Sequence, residues 1–265
     1  MTGTATHIDV QTAQSSGRPT LTMLTTGTRH GAGILDALAR HGIRPDLVVL
    51  ERPRGRQLMS QVREMRRRRG IIATIGAVVR GVLGRLRPAA EPWRTAEFYE
   101  PRSGRLVVVE SLAGEETQDV VRDLQTDLLV LGGAPILPAA ILELPRIGTL
   151  NAHPGLLPRY RGVDVVAHAV LNGDPVGATV HFVDAGIDTG RIVSRTEVPA
   201  QAGDTLASLQ ARVEAAGGSA LAEAVIRLLA DGSLPAESQT DRHPICRRLT
   251  RTQRRMAEAR LRNSR

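Results

Sequence analysis

The sequence predicts an α/β fold: a Rossmann-like, mostly parallel twisted sheet with helices on both faces. The first observation is an apolar run, Leu21–Thr25, which leads into the glycine-rich turn 26–33 and a helix with Ile34, Leu35 and Leu38 on one face. The second is the continuously apolar run 47–50, as expected for a strand buried on both sides. Strand, turn, helix and strand make a βαβ unit, and such a unit requires parallel strands.

The rest of the chain continues this alternation of strands and helices. We predict further strands at 106–109, 128–131, 147–150, 177–183 and 191–198. We predict further helices at 115–126, 138–144, 163–171 and 219–230. Another helix is expected to begin after Asp204, which would be its N-cap. Residues 88–105, which include three prolines, are predicted to be a loop. Ligands of such sheets bind beyond the carboxyl ends of the strands, where the turns 26–33, 132–137 and 151–160 would converge.

The length and composition favour one large domain in a reducing compartment. At 265 residues the chain can bury a full core, and its single cysteine, Cys246, cannot form an internal disulfide. The first twenty residues are polar and are interpreted as a flexible leader, followed by a catalytic domain over 21–232 and a basic tail over 233–265. No apolar run is long enough to span a bilayer, so a cytoplasmic protein is expected.

The net charge of +8 comes entirely from arginine, since the chain has no lysine. Arginine is concentrated in the segment 52–94 and in the tail. The segment 52–94 is interpreted as one or two helices with a basic end. It could cover the sheet as an extra helical pair, or it could contact a membrane surface or a partner. Basic runs are usually solvated faces or mobile segments, but they can also bind nucleic acid. An aromatic content of 2% argues against a platform that stacks on bases.

Two polar residues stand at the end of a predicted strand. Asn151 and His153 are two positions apart, so both side chains point to the same side. Asp188 lies in a second polar segment after the strand 177–183. An amide can donate to a developing oxyanion, and an imidazole can move a proton near neutral pH. Each residue alone could equally be structural: an asparagine before a turn, a hydrogen-bonded histidine and a turn aspartate.

The two segments together, 151–158 and 184–190, resemble the folate-dependent formyltransferases that act on glycinamide ribonucleotide, methionyl-tRNA and sugar amines. The shared pattern is Asn-x-His-Pro-Ser-Leu-Leu-Pro, followed downstream by an aspartate. The resemblance implies a catalytic trio of Asn151, His153 and Asp188 and a formyl group taken from 10-formyltetrahydrofolate. It implies a small-molecule amine as acceptor, such as a sugar, nucleotide or peptide-like amine.

The resemblance also implies where the two ligands bind. The folate would lie in a cleft lined by two loops, at Gly133, Ile136, Leu137, Val183, Asp184, Gly186 and Ile187. The first glycine-rich turn, with Thr28, Arg29 and His30, would bind an anionic part of the acceptor, as this loop does in the purine-pathway relatives. The glycines of this turn could instead serve only to make it tight.

The sequence departs from the family pattern beside the trio. Gly155 replaces the usual serine. In the family the aspartate is followed by x-Gly-Pro, and here Arg191 stands in place of that proline, after Gly190. The chain also lacks room after residue 230 for the C-terminal barrel of methionyl-tRNA formyltransferases, which disfavours that acceptor. Two alternatives remain: a hydrolase that passes the formyl group to water, and a non-catalytic scaffold that binds nucleic acid or a membrane. The histidines show no metal-ligand spacing and no cysteine cluster exists, so no metal is expected.

Overall fold

Seven strands form a single sheet in the computed structural model, which describes residues 18–52, 92–241 and 243–263. In chain order they are β1 (Leu21–Thr25), β2 (Leu47–Glu51), β3 (Arg105–Val109), β4 (Leu128–Gly132), β5 (Gly148–His153), β6 (Gly177–Phe182) and β7 (Ile192–Glu197). Their order across the sheet is β3-β2-β1-β4-β5-β6-β7. The first five strands in this order are mutually parallel, whereas β6 and β7 are antiparallel to their neighbours. The predicted mostly parallel sheet is confirmed.

The helices in the same described ranges are α1 (Arg29–Arg40), α2 (Ala96–Tyr99), α3 (Glu115–Asp123), α4 (Ala139–Leu142), α5 (Val165–Asn172), α6 (Leu206–Asp231) and α7 (Arg251–Asn263). Short 3-10 turns at Pro92–Arg94 and Glu100–Arg102 flank α2. The loop predicted for 88–105 is therefore wrong over 92–102. A proline fits the first turn of a helix, where its missing N–H is not needed, so it does not by itself indicate a loop.

Helices cover both faces of the sheet, as the sequence predicts. Met23 packs with Ile34 of α1 and Val225 of α6 in one apolar cluster. The next residue along β1, Leu24, belongs to a second cluster with Val121 of α3 and Ile141 of α4. Successive residues of a strand point to opposite faces, so a continuously apolar strand supplies a core on each side.

One long helix replaces the two that the sequence predicts after Asp204. The helix α6 runs unbroken over 26 residues, and Thr205 rather than Asp204 is its N-cap, in a reciprocal bond with Ser208. Gly217 and Gly218 lie within this helix and are buried. A Cβ at Gly217 would lie 3.0 Å from the Cβ of Ala178 on β6. Gly217 therefore brings the helix close to the sheet, Gly218 faces Gly33 and Ile34 of α1, and neither glycine ends the helix.

The C-terminal segment, which the sequence analysis treats as a separate basic tail, packs onto the domain. Leu234 and Ala236 join the main apolar cluster, and Glu237 pairs with Ile192 of β7 through two backbone bonds of 2.8 Å. The helix α7 buries Ala257 and Leu261 against α5, and its arginines face outward. Two apolar residues four positions apart give too weak a pattern for this helix to be predicted within a basic run.

Two predicted segments lie outside the described residues. These are most of the leader, residues 1–17, and most of the arginine-rich segment, residues 53–91. Within the ranges that are described, no helix has the length and apolar character that crossing a membrane requires.

Candidate active site

The carboxyl ends of β1, β4 and β5 meet at one edge of the sheet because these three strands are parallel. Asn151 and His153 lie in the last half of β5, inside the strand and not after it. The neighbouring strand β6 is antiparallel, and its His181 is paired directly with Asn151. Residues opposite each other in a sheet extend to the same face. The strand pairing therefore adds a second imidazole beside the predicted amide and imidazole.

Asp188 reaches this edge from the connection between β6 and β7. Its backbone is left-handed, with φ of 52°. Its Oδ2 accepts the backbone N–H of Gly162 at 2.8 Å and lies 3.6 Å from Nδ1 of His153. Its Oδ1 lies 3.7 Å from Nε2 of His181. The structure thus brings Asn151, His153 and Asp188 together, while their catalytic roles remain a prediction.

His153 is enclosed by the loop that follows it. Its Nε2 lies 2.7 Å from the carbonyl oxygen of Tyr160, so this nitrogen carries a hydrogen and donates it. Only 4% of the residue is exposed. Gly155 lies directly against the ring, since a Cβ there would be 2.8 Å from Nε2 and closer still to the Tyr160 carbonyl. Only Nδ1 remains available for proton transfer, on the side of Asp188.

His181 is a residue of the site that the sequence reasoning missed. Its Nδ1 donates to the carbonyl of Phe182 at 2.8 Å, so in the neutral ring Nε2 carries the lone pair. That nitrogen lies 3.3 Å from Nδ2 of Asn151 and accepts one of its amide hydrogens. Burial lowers the pKa of His181, and the neighbouring His153 lowers it further, so the ring is neutral near pH 7. The apolar neighbours of His181 in the sequence indicate that it is buried in a strand, but they do not show that it faces Asn151.

A cavity of about 180 Å³ opens beside this group of residues. Its walls are the turn after β4 and the connection between β6 and β7, and its inner end is formed by Asn151, His181 and Asp188. All seven residues predicted to bind folate line it: Gly133, Ile136, Leu137, Val183, Asp184, Gly186 and Ile187. Ile136 is 81% exposed and Ile187 is 38% exposed, so the rim presents apolar side chains to solvent. His153 does not line this cavity.

The three residues predicted to bind an anion of the acceptor have mixed surroundings. Thr28 is the N-cap of α1, because its hydroxyl accepts the N–H of Gly31 at 3.0 Å. His30 lies 3.1 Å from the carbonyl of Ala152, and burial lowers its pKa although Glu214 raises it. The Arg29 side chain is exposed. Two of the three side chains therefore have partners within the protein, and an acceptor role for this turn remains a prediction.

A larger cavity, of about 450 Å³, adjoins the loop that follows β5. Pro154 and Gly162 form part of its wall, together with the start of α6 and with Arg254 and Glu258 of α7. Among the described residues, no group of three or more His, Cys, Asp or Glu side chains has a geometry that could hold a metal ion.

The fold and the site define a Rossmann-like α/β protein with an amide, an imidazole and a carboxylate at the inner end of a cleft, and a second imidazole beside the carboxylate. Comparison with known families is specific: residues 48–225 match the model of the family described as formyl transferase. The chain therefore belongs to the formyl transferase family.

Similar proteins include methionyl-tRNA formyltransferases and solved formyltransferase structures. The enzyme of Pseudomonas putida is 41% identical over 133 residues, which are 49% of this chain and 43% of that protein. The enzyme of Ralstonia nicotianae is 41% identical over 123 residues, 46% of this chain and 38% of that protein. The chain thus matches about two fifths of the length of these curated relatives.

Two solved structures share the fold. Glycinamide ribonucleotide transformylase 1 of Symbiobacterium toebii superposes with a TM-score of 0.56 at 24% identity, over 82% of this chain and 90% of that one. A sugar N-formyltransferase from a Shewanella species gives a TM-score of 0.56 at 16% identity, over 91% and 87%. At these identities the likeness concerns the fold alone.

Proposed function

We propose that the protein is an N-formyltransferase that moves a formyl group from 10-formyltetrahydrofolate to the amine of a small molecule. The observation that carries the proposal is the inner end of the 180 Å³ cavity, where Asn151, His181 and Asp188 converge. An amide donor and a carboxylate beside one cleft suit acyl transfer to nitrogen, which needs a donor for the oxyanion and an acceptor for a proton.

The volume of the smaller cavity suits one part of the folate donor. Ligands of drug size fill about 300–1,000 Å³, so a cavity of about 180 Å³ suits a ring system and not a whole cofactor. The walls offer backbone groups of 133–137 and 183–188, and the apolar rim residues Ile136 and Ile187 could cover a flat ring. When bound, the donor supplies a formyl group on nitrogen, and the seven lining residues predicted from the resemblance would hold it.

The side chains divide the chemistry between them. One amide hydrogen of Asn151 is donated to His181, and the other can be donated to the formyl oxygen as that oxygen gains negative charge. Asp188, at the cavity end, can accept the proton that the attacking amine loses. That proton can then pass to the folate nitrogen, which leaves as its bond to the formyl carbon breaks. His153, with Nδ1 3.6 Å from Asp188, can share that proton while its Nε2–H stays on Tyr160.

The acceptor is proposed to be a sugar, nucleotide or peptide-like amine, and the compartment to be the cytoplasm. The relatives of higher identity are named for methionyl-tRNA, but the matched region covers only about two fifths of them. A tRNA substrate therefore belongs in any acceptor screen as a separate arm.

The test is formyl transfer by the purified full chain. Protein and 10-formyltetrahydrofolate are incubated with a panel of amines and with methionyl-tRNA, and products are identified by a mass gain of one formyl group. We expect transfer to a small amine and a loss of about 100-fold or more in Asp188→Asn, the scale of general acid–base catalysis. Rapid formate release without any amine would instead assign a hydrolase. Full activity of Asp188→Asn would remove Asp188 from the mechanism.

Donor binding is tested separately by calorimetric titration with a stable folate analogue. Ala134 lines the smaller cavity, and Ala134→Phe should abolish binding by filling it. Ala207 lines the larger cavity, so Ala207→Phe is the matched control and should leave analogue binding intact. No binding to the wild-type protein, or equal effects of the two variants, would contradict the assignment of the donor site.

A further inference from the structure

The C-terminal segment contacts two parts of the candidate site. One is the loop that carries Asp188, and the other is the backbone around Gly162, whose N–H binds the Asp188 carboxylate. It reaches the site along β7, where Glu237 and Ile192 exchange two backbone hydrogen bonds of 2.8 Å. The side chain of Glu237 also bonds to Arg195 of β7. Gln239, two residues further on, is thereby held beside the connection that carries Asp188.

Gln239 bonds to the backbone of that connection at two points. Its Nε2 donates one hydrogen to the carbonyl of Asp188 at 3.0 Å and one to the carbonyl of Gly190 at 2.7 Å. A left-handed backbone is uncommon for residues other than glycine, although aspartate adopts it more readily than most. Asp188 has this conformation, with φ of 52°, and contacts from neighbouring residues help to hold it. The Gln239 amide supplies two of them without touching the carboxylate.

The same segment also fixes the donor that orients the carboxylate. Cys246 donates its backbone N–H to the carbonyl of Arg161 at 2.7 Å and accepts the N–H of Val163 at 3.0 Å. Between these two residues, Gly162 donates to Oδ2 of Asp188 at 2.8 Å. Gly162 has φ of 103°, and a Cβ there would collide with the Cys246 carbonyl. Gln239 therefore holds the loop of Asp188, and Cys246 holds the residues on either side of the N–H that binds its carboxylate.

We propose that Gln239 is a positioning residue for formyl transfer, which acts by holding Asp188 at the end of the cavity. The inference rests on the proposed function, since it takes Asp188 as a group that touches the substrates. Gln239 itself does not line either of the two cavities described above. An effect of Gln239 on the rate would therefore be indirect, and its dependence on Asp188 can be measured.

The experiment is a double-mutant cycle with formyl transfer as the readout. Gln239→Ala removes both bonds, and Gln239→Glu places a carboxylate against two carbonyl oxygens. A displacement of about 1 Å at a reacting group can cost about a hundredfold in rate. We expect kcat to fall about tenfold to a hundredfold in Gln239→Ala and further in Gln239→Glu, with a smaller change in KM for the amine. In the Asp188→Asn background, Gln239→Ala should cause no additional loss, because the group that it positions is already absent.

A control variant and a second readout separate positioning from general stability. Gln253 caps the start of α7 through Thr250, in the same C-terminal segment but away from Asp188. Gln253→Ala should lower the melting temperature about as much as Gln239→Ala, by about 2–4 °C, without lowering kcat. Hydrogen exchange of the peptide 184–192 should accelerate in Gln239→Ala only.

The possible outcomes are distinct. An equal loss from Gln239→Ala in the wild-type and Asp188→Asn backgrounds would show that Gln239 acts on structure in general and would overturn the inference. Unchanged kcat with unchanged exchange would also overturn it. If the wild-type protein transfers no formyl group to any acceptor, the proposed function fails first, whereas the exchange measurement still tests whether Gln239 holds the loop.

Discussion

The amide nitrogen of Asn151 lies 3.3 Å from Nε2 of His181, across the one antiparallel pairing that borders the parallel part of the sheet. Nδ1 of His181 is bound to the carbonyl of Phe182, so Nε2 can only accept while the ring is neutral. Two consecutive hydrogen bonds therefore link the backbone of β6 to His181 and His181 to the amide of Asn151. This pair of hydrogen bonds orients the Asn151 amide, with its nitrogen toward His181.

The first prediction concerns the hydrogen bond between His181 and Asn151. His181→Leu removes the acceptor, so the Asn151 amide loses its fixed orientation, and kcat for formyl transfer should fall about tenfold to a hundredfold. His181→Gln keeps an oxygen that can accept the amide hydrogen and should retain more activity than the leucine variant. Steady-state kinetics of both variants, with analogue binding as a check of the cavity, measure this. Equal activities of the leucine and glutamine variants would contradict an orienting role.

The second prediction concerns Gly155, which stands where the family pattern has serine. A Cβ at this position would press on both His153 and the carbonyl of Tyr160. Gly155→Ala and Gly155→Ser should each lose about 1–3 kcal/mol of unfolding free energy, the range for overpacking a filled site. They should also lower kcat, because the bond between His153 and Tyr160 is broken. Chemical denaturation and kinetics test this, and wild-type values in both variants would show that the loop can move aside.

The third prediction concerns the dependence of stability on pH. Burial lowers the pKa of both His30 and His181 in the folded protein, so below about pH 6.5 the unfolded chain binds more protons. The free energy of unfolding should therefore decrease as pH falls from about 6.5 toward the folded pKa values, by up to about 1.4 kcal/mol per pH unit for each ring. Denaturant titrations across this window should show a shallower decrease for His181→Gln. A slope identical to the wild type would mean that His181 is not held neutral.

The fourth prediction compares two glycines in the first turns of α1. A Cβ at Gly31 would lie 2.6 Å from Oγ1 of Thr25 and would collide with the carbonyl of Gly132, whereas a Cβ at Gly33 would meet nothing within 4 Å. Gly31→Ala should destabilise by about 1–3 kcal/mol. Gly33→Ala should stabilise by about 0.5–1 kcal/mol, because alanine favours a helix more than glycine does. The difference is measured by chemical denaturation, and the reverse order would contradict the close contact of α1 with β1 and β4.

Much of the fold could be predicted from the sequence because the strands are continuously apolar. β1, β2 and β4 are buried along their whole lengths or nearly so, and such runs bounded by turns are a strong signal. The sequence predicts two helices in place of α6, although Gly217 and Gly218 lie within one continuous helix. A sequence does not show whether a glycine ends a helix or lets it approach a sheet, since that depends on what lies opposite.

The site could be predicted in part. Asn151, His153 and Asp188 follow a family pattern and do lie together, and the seven lining residues surround one cavity. His181 and Gln239 could not be placed by the same means. The pairing of His181 with Asn151 depends on the antiparallel register of β6, and the bonds of Gln239 depend on a segment that returns from far along the chain. Both are long-range relationships without a local sequence signature.

The reversal of direction between β5 and β6 makes the arrangement of polar groups sensitive to a shift of a single position. If β6 moved along its neighbour by one residue, Val180 or Phe182 would face Asn151 in place of an imidazole, since alternate side chains point to opposite surfaces. An insertion or deletion in the short connection 173–176 that shifted β6 in this way would therefore place an apolar side chain opposite Asn151.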